Sequence, residues 1–225
     1  MGEAQYRPLE RRPIEARKWG LSRAATRWLV RRGITPNTIS IAGMLAGLGA
    51  GAAFVSTSMV PALVRGAWLL GAALVQLRLL ANMLDGMVAV EAGKASPVGE
   101  LYNEVPDRVS DAAVLIGLGF AQGGHPYLGF AATIAAILTA YVRAAGRIAG
   151  APQDYCGPMA KQHRMFLVTV LGIYSGLMPA GWQLQWTARS DLGLSSAILV
   201  AITLGSLLTA ARRLLRCSRA LRQRV

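Results

Sequence analysis

The chain has 225 residues, of which 53% are hydrophobic and only 16% charged, and its mean hydropathy is +0.39. About a quarter of a soluble domain is usually charged, so this composition excludes an ordinary soluble domain. A net charge of +13 would suit a nucleic-acid binder, but the basic residues sit at helix ends and chain ends between long uncharged runs, the pattern of a membrane protein with Lys and Arg held on the cytoplasmic side, and no nucleic-acid partner is expected.

Residues 1–20 are polar and lack a signal-peptide core, so no cleavage is expected. From Trp19 to Ile34, Leu21, Ala24, Ala25, Trp28 and Leu29 recur at helical spacing among Arg23, Arg27, Arg31 and Arg32. Such a basic amphipathic helix suits an anionic membrane surface. A helix packed on its own protein needs the same single apolar face. Gly33 and Pro36 end it.

Six membrane spans are expected to follow. The first, about Asn37 to Val60, is uncharged and long enough to cross a bilayer. Its Gly43, Gly47 and Gly51 form a small-residue stripe that lets another helix approach closely. The second, about Ala62 to Val90, carries Arg78, Asn82 and Asp85 in its second half. After a loop with Lys94, Ser96 and Pro97, the third runs from about Val98 to Gln122. The fourth spans about Tyr127 to Ile148, the fifth Met165 to Gly181 and the sixth Leu194 to Leu215, before a basic tail. Residues 112–142 are uncharged and would also read as one long helix, giving five spans. Six spans instead gather both termini, Lys94, Arg143, Arg147, Lys161 and Arg164 on one side and leave only Arg65 and Arg189 on the other. The positive-inside rule selects six, with both ends cytoplasmic in the cell (inner) membrane. The expected fold is therefore all-α. It comprises a cytoplasmic N-terminal segment with an interfacial helix (1–35), a six-helix transmembrane domain (36–216) and a basic tail (217–225).

Six of the eleven acidic residues fall between Asp85 and Asp111. Carboxylates in a spanning segment are expensive and usually mark a working site. At 100 degrees per residue, Arg78, Asn82 and Asp85 lie within about 60 degrees of one another on the second span. On the third, Glu100, Glu104, Asp107 and Asp111 form one stripe with Asn103 beside it. Such a stripe needs cations to stay ionised, and hard divalent ions take oxygens from Asp, Glu and Asn. One or two ions shared between the two helices would suit phosphoryl transfer. A divalent-cation transporter would use the same acids. Gly86 and Gly99 let a ligand come close, and Pro106 kinks the third span within the stripe. Lys161 and Arg164 beside Arg143 and Arg147 make a phosphate-binding cluster, or simply positive-inside charge. Trp182 and Trp186 read as interface anchors, His125 and Glu91 need no role, and Cys156 and Cys217 have no metal-like spacing.

The stretch from Asn82 to Asp107 resembles the signature of the CDP-alcohol phosphotransferase family, Asp-x2-Asp-Gly-x2-Ala-Arg-x8-Gly-x3-Asp-x3-Asp. The spacing is kept at Asn82, Asp85, Gly86, Ala89, Val90, Gly99, Asn103 and Asp107, with departures in type at Asn82, Val90 and Asn103. Gly33-Ile34-Thr35-Pro36-Asn37 and Tyr141-Val142-Arg143-Ala144 also resemble the family. The resemblance implies transfer of a phosphatidyl group from a CDP-linked lipid donor, such as CDP-diacylglycerol, to an alcohol acceptor with release of CMP, using Mg²⁺ or Mn²⁺. It implies Asn82, Asp85, Asn103 and Asp107 as metal ligands, Asp107 as a general base, and Gly86, Ala89 and Gly99 in the cytidine pocket. Asp111 and Glu104 are expected to restore charge lost at the asparagines, Asp111 as a further ligand and catalytic group, and Arg78 to supply the guanidinium missing at Val90. A family member that has lost catalysis is the remaining alternative. The resemblance and the glycine stripe are both compatible with a homodimer.

Overall fold

In the computed structural model, residues 17, 19–93, 96–179, 182 and 192–223 are described. Residues 1–16, Lys94, Trp186, Arg189, Arg224 and the far end of the fifth expected span at Gly181 lie outside them, as does the side chain of Glu100. The described residues form seven α-helices: α1 (Gly20–Arg31), α2 (Pro36–Met59), α3 (Val64–Glu91), α4 (Pro97–Gly119), α5 (Pro126–Ile148), α6 (Lys161–Leu177) and α7 (Leu194–Arg222). A 3-10 turn, Pro61–Leu63, leads into α3.

Local chemistry sets most of these boundaries. Thr35 caps α2 by accepting the Thr38 N–H at 3.2 Å, and Ser96 caps α4 by accepting the Gly99 N–H at 3.0 Å. Pro36, Pro97 and Pro126 occupy first helical positions, where no N–H is needed. Gly33 and Gly93 follow α1 and α3 with φ of 70° and 62°, a left-handed turn that glycine makes cheaply. Pro106 lies inside α4 without ending it.

Among the described residues, four helical segments are long and apolar enough to cross a membrane: Pro36–Met59, Pro61–Glu91, Pro126–Ile148 and Leu194–Arg222. α4 is interrupted by charge, and α6 has only 17 residues. Neighbouring contacts run α3 to α2, α2 to α4, α4 to α5, α5 to α7, α7 to α6 and α6 back to α3, a closed ring of six helices. Trp68, Phe54, Leu115, Met165 and Leu199 fill its interior. α7 continues unbroken to Arg222, past the end expected for the last span.

The glycine stripe is used within the chain. A Cβ at Gly43 would lie 2.9 Å from Ala81 Cβ of α3; at Gly47, 2.3 Å from Ser110 Cβ of α4; at Gly51, 2.4 Å from the Ala113 carbonyl of α4. α2 is thus wedged between the two helices that carry the acids. α1 packs against α3, burying Ser22 and Thr26 and placing Leu29 and Val30 against Ile39, Ala81 and Val88. Leu21, Trp19 and Trp28 remain exposed. The apolar residues of α1 therefore divide between two faces, because its protein-facing side is partly polar.

Candidate active site

α3 and α4 meet through their polar side chains at the end of the bundle where Arg143, Arg147, Lys161 and Arg164 also lie. Asn82 donates its Nδ2 to Asp107 Oδ2 at 3.0 Å. One turn earlier on α3, Arg78 is 1% exposed and donates Nε to Ser110 Oγ at 2.6 Å. Its Nη2 reaches the Asp107 carbonyl at 3.1 Å, Asp107 Oδ1 at 3.3 Å and Asp111 Oδ1 at 2.5 Å. The helical spacing of Arg78, Asn82 and Asp85 thus aims two of them at one carboxylate on the neighbouring helix.

Asp85 is 2% exposed and accepts from Ser40 Oγ of α2 at 2.6 Å and from the Gly86 N–H at 2.5 Å. Asp107 also bonds Lys161 Nζ, the first residue of α6. Asp111 pairs with Arg164 Nη2 at 3.3 Å, and Arg164 donates Nη1 to the Met159 carbonyl at 2.9 Å. Glu104, half exposed, bonds both Arg108 of its own helix and Arg143 of α5. The acid stripe of α4 therefore climbs from a fully enclosed carboxylate at Asp111 to a wet one at Glu104.

Above this lies a cavity of ≈ 1560 Å³. That exceeds the roughly 300–1,000 Å³ of pockets for drug-sized ligands, and leaves room for a nucleotide joined to a lipid head. Asn82, Asp85, Gly86, Ala89, Gly99 and Asn103 line it, as do Asp107, Arg143, Arg147, Lys161 and Arg164. Eleven of the thirteen expected site residues are therefore brought together. Arg78 and Asp111 lie beneath the lining, because each is drawn into the buried ion pairs they share. Val90 is 51% exposed and takes no part in the lining. Arg17 does reach the cavity, with Nη2 3.8 Å from where a Gly86 Cβ would sit.

Sequence reasoning missed Ser40, Ser110, Arg108 and Arg17. Arg108 was visible as the residue four after Glu104, the spacing of a helical ion pair. Nothing local signals Ser40, which lies 45 residues from its partner.

Outside the spans, the loop after α5 closes one wall through Gln153 and Tyr155. Burial alone would push the Asp154 carboxyl up. The Cys156 Sγ at 3.1 Å and N–H at 2.8 Å, with Arg216 at 3.7 Å, outweigh it and hold the carboxyl below its ordinary value.

The oxygen donors facing the cavity suit a hard divalent ion in kind. Asp85 and Asp107 supply carboxylates, Asn82 and Asn103 amide oxygens. Asn103 Oδ1 is buried without a hydrogen-bond partner, an oxygen available to a ligand. Among the described residues, no three His, Cys, Asp or Glu side chains converge into a metal cluster.

Residues 33–204 match the CDP-alcohol phosphatidyltransferase family, which covers most of the chain and includes every cavity-lining motif position. The chain belongs to this family. It is an enzyme that transfers a phosphatidyl group from a CDP-alcohol to a hydroxyl, with release of CMP. It is 30% identical to a phosphatidylinositol phosphate synthase of Mycobacteroides abscessus, over 77% of each chain. It is 27% identical to the inner membrane protein YnbA of Escherichia coli, over 76% of this chain and 84% of that one. With its apolar helices, the chain is a multi-pass membrane protein. The fold is similar to that of Mycobacterium tuberculosis phosphatidylinositol phosphate synthase solved with CDP-DAG bound, at a TM-score of 0.70 and 24% identity, covering 88% of this chain and 93% of that one. A structure of that same protein in complex with manganese and citrate also matches at a TM-score of 0.70.

Proposed function

We propose that the donor is CDP-diacylglycerol and that the acceptor is an anionic, phosphorylated alcohol. The observation that carries the reading is the junction of Asn82 and Asp107 across α3 and α4 at the floor of a cavity also lined by Asp85, Gly86 and Ala89. The names of the relatives, among them the M. abscessus phosphatidylinositol phosphate synthase, favour an acceptor of this class.

Asn82, Asp85, Asn103 and Asp107 would hold Mg²⁺ or Mn²⁺, which when bound supplies charge stabilisation at the phosphoryl oxygens. Gly86, Ala89 and Gly99 leave room for the cytidine. Arg143, Arg147, Lys161 and Arg164 orient the phosphates of donor and acceptor. Glu104 is half exposed in its pair with Arg143, so Arg143 exchanges partners at little cost. Asp107 takes the proton from the acceptor hydroxyl. The hydroxyl oxygen bonds to the phosphorus nearer the lipid, the bond from that phosphorus to the CMP oxygen breaks, and CMP leaves with the electron pair. Arg78 and Asp111, below the lining, act as positioning residues: their ion pair fixes Asp107 on α4.

All six helices of the ring would span the cell (inner) membrane, with both termini cytoplasmic. α1 would lie at the membrane surface through its exposed Trp19, Leu21 and Trp28. This divides the chain into an N-terminal segment (1–35), a membrane domain (36–216) and a basic tail (217–225). A homodimer would use faces other than the glycine stripe, which α3 and α4 already cover.

The test uses purified protein, radiolabelled CDP-diacylglycerol, Mg²⁺ or Mn²⁺, and serine, glycerol phosphate and inositol phosphate as acceptors. CMP release that depends on a phosphorylated acceptor and disappears in Asp85→Ala supports the reading. Release unchanged in Asp85→Ala, or cation uptake into vesicles with no CMP release, overturns it.

A further inference from the structure

We infer that Lys161 fulfils the charge role of a second divalent ion, so that this chain works with one ion where a four-aspartate motif would hold two. The inference rests on the metal-dependent reading above and deepens it.

Both carboxylate oxygens of Asp107 are already engaged: Oδ2 by Lys161 Nζ and Asn82 Nδ2, Oδ1 by Arg78 Nη2 at 3.3 Å. Asn82 meets Asp107 with an N–H, whereas an aspartate at that position would bring a second negative charge and call for a cation between the two. Lys161 and Asp107 are both largely enclosed, with side chains 16% and 14% exposed. Their attraction is therefore less screened than on an open surface.

Charge gives the same answer. The carboxylates of Asp85, Asp107 and Asp111 sum to −3, and the side chains of Arg78, Lys161 and Arg164 to +3. These six groups balance one another, while Arg17, Arg108, Arg143, Arg147 and Arg213 outnumber Glu104 along the rest of the lining and leave it net positive. One divalent ion raises the six-group set to +2, which the two negative charges of a pyrophosphate neutralise. Two ions would leave a surplus of +2 in a partly buried site, where uncompensated charge is costly. Relative to the motif, Asn82 and Asn103 each remove one negative charge. Together they remove the counter-charge of one divalent ion.

Lys161 also stands at an unfavourable place for a cation. It is the first residue of α6, where the helix dipole disfavours a cation. A lysine there needs a compensating partner, and it finds one 54 residues away in Asp107.

The experiment counts bound Mn²⁺ by the loss of the free-ion electron paramagnetic resonance signal, on purified protein with and without CDP-diacylglycerol. Wild type should saturate at one ion per chain. The triple variant Asn82→Asp, Asn103→Asp, Lys161→Met should saturate at two. Lys161→Met alone should keep one ion yet lose CMP release by about a hundredfold, the typical effect of deleting one pre-placed electrostatic donor. Should the triple variant fail to fold, Lys161→Arg, which keeps the charge, should still bind one ion. Two ions on wild type, one on a folded triple variant, or unimpaired CMP release by Lys161→Met overturns the inference. Two ions on a wild type that releases CMP would sink the single-ion inference and leave the proposed reaction standing. One ion on a wild type without CMP release would do the reverse.

Discussion

At the scale of single residues, the site depends on neutral groups that hold charged ones. Ser40 is the clearest. It belongs to α2, lies outside the signature, and donates the 2.6 Å bond that fixes Asp85. Groups that orient a metal-ligating carboxylate typically matter by about 10–100-fold in affinity or activity. Ser40→Ala should therefore weaken Mn²⁺ binding and CMP release by about that factor while the protein elutes and melts as wild type; an Mn²⁺ titration beside a melting curve checks both. The helical spacing of Asn82, Asp85, Asn103 and Asp107 made their convergence legible in the sequence, because 3.6 residues per turn fixes which side chains share a face. The partners of those residues were not legible. Whether Lys161 meets a phosphate or Asp107 depends on where α6 docks, and no local spacing encodes that. Arg78 was expected at a phosphate, yet it lies under Asp107, since a buried guanidinium beside two carboxylates has stronger partners at hand.

Among helices, close approach in place of hydrophobic drive explains the packing. Lipid is as apolar as a leucine side chain, so spanning helices associate through fit. The pair Gly51 and Gly117 shows it: a Cβ on Gly117 would stand 2.4 Å from the Gly51 carbonyl oxygen. Gly51→Leu should cost about 2 kcal/mol or more, the range for overpacking a tight contact, and thereby move α4 and its acids away from α3. Gly66→Leu, with nothing within 4 Å of the added carbon, is the matched control and should melt as wild type. Thermal unfolding in detergent distinguishes the two. The sequence made the stripe visible but not its partner. Any helix can fill a glycine groove, and only the register of α2 between α3 and α4 shows that it serves the fold itself.

For the molecule as a whole, the distribution of charge predicts orientation. Arg143 and Arg147 end α5 and Lys161 and Arg164 begin α6, on the face that carries the cavity, while Arg65 lies at the opposite end of α3. By the positive-inside rule the cavity is expected to face the cytoplasm. With Cys156 and Cys217 replaced by serine, a cysteine at Gln223 should react with a membrane-impermeant maleimide only in inverted vesicles, and one at His125 only in intact cells. Labelling of both from the same side would remove the six-span arrangement.

The segment joining α5 to α6 is moored to α7 as well as to the two helices it connects. Met159 N–H is held by Thr209 Oγ1 at 3.0 Å, Gly157 leaves no space for a side chain against Thr209, and Arg213 grips the Cys156 carbonyl at 3.0 Å. That segment delivers Lys161 to Asp107. α7 thus works as a tether, and damage to Thr209, which lies outside the cavity lining, should look biochemically like damage to the reaction centre although the centre's own residues are intact.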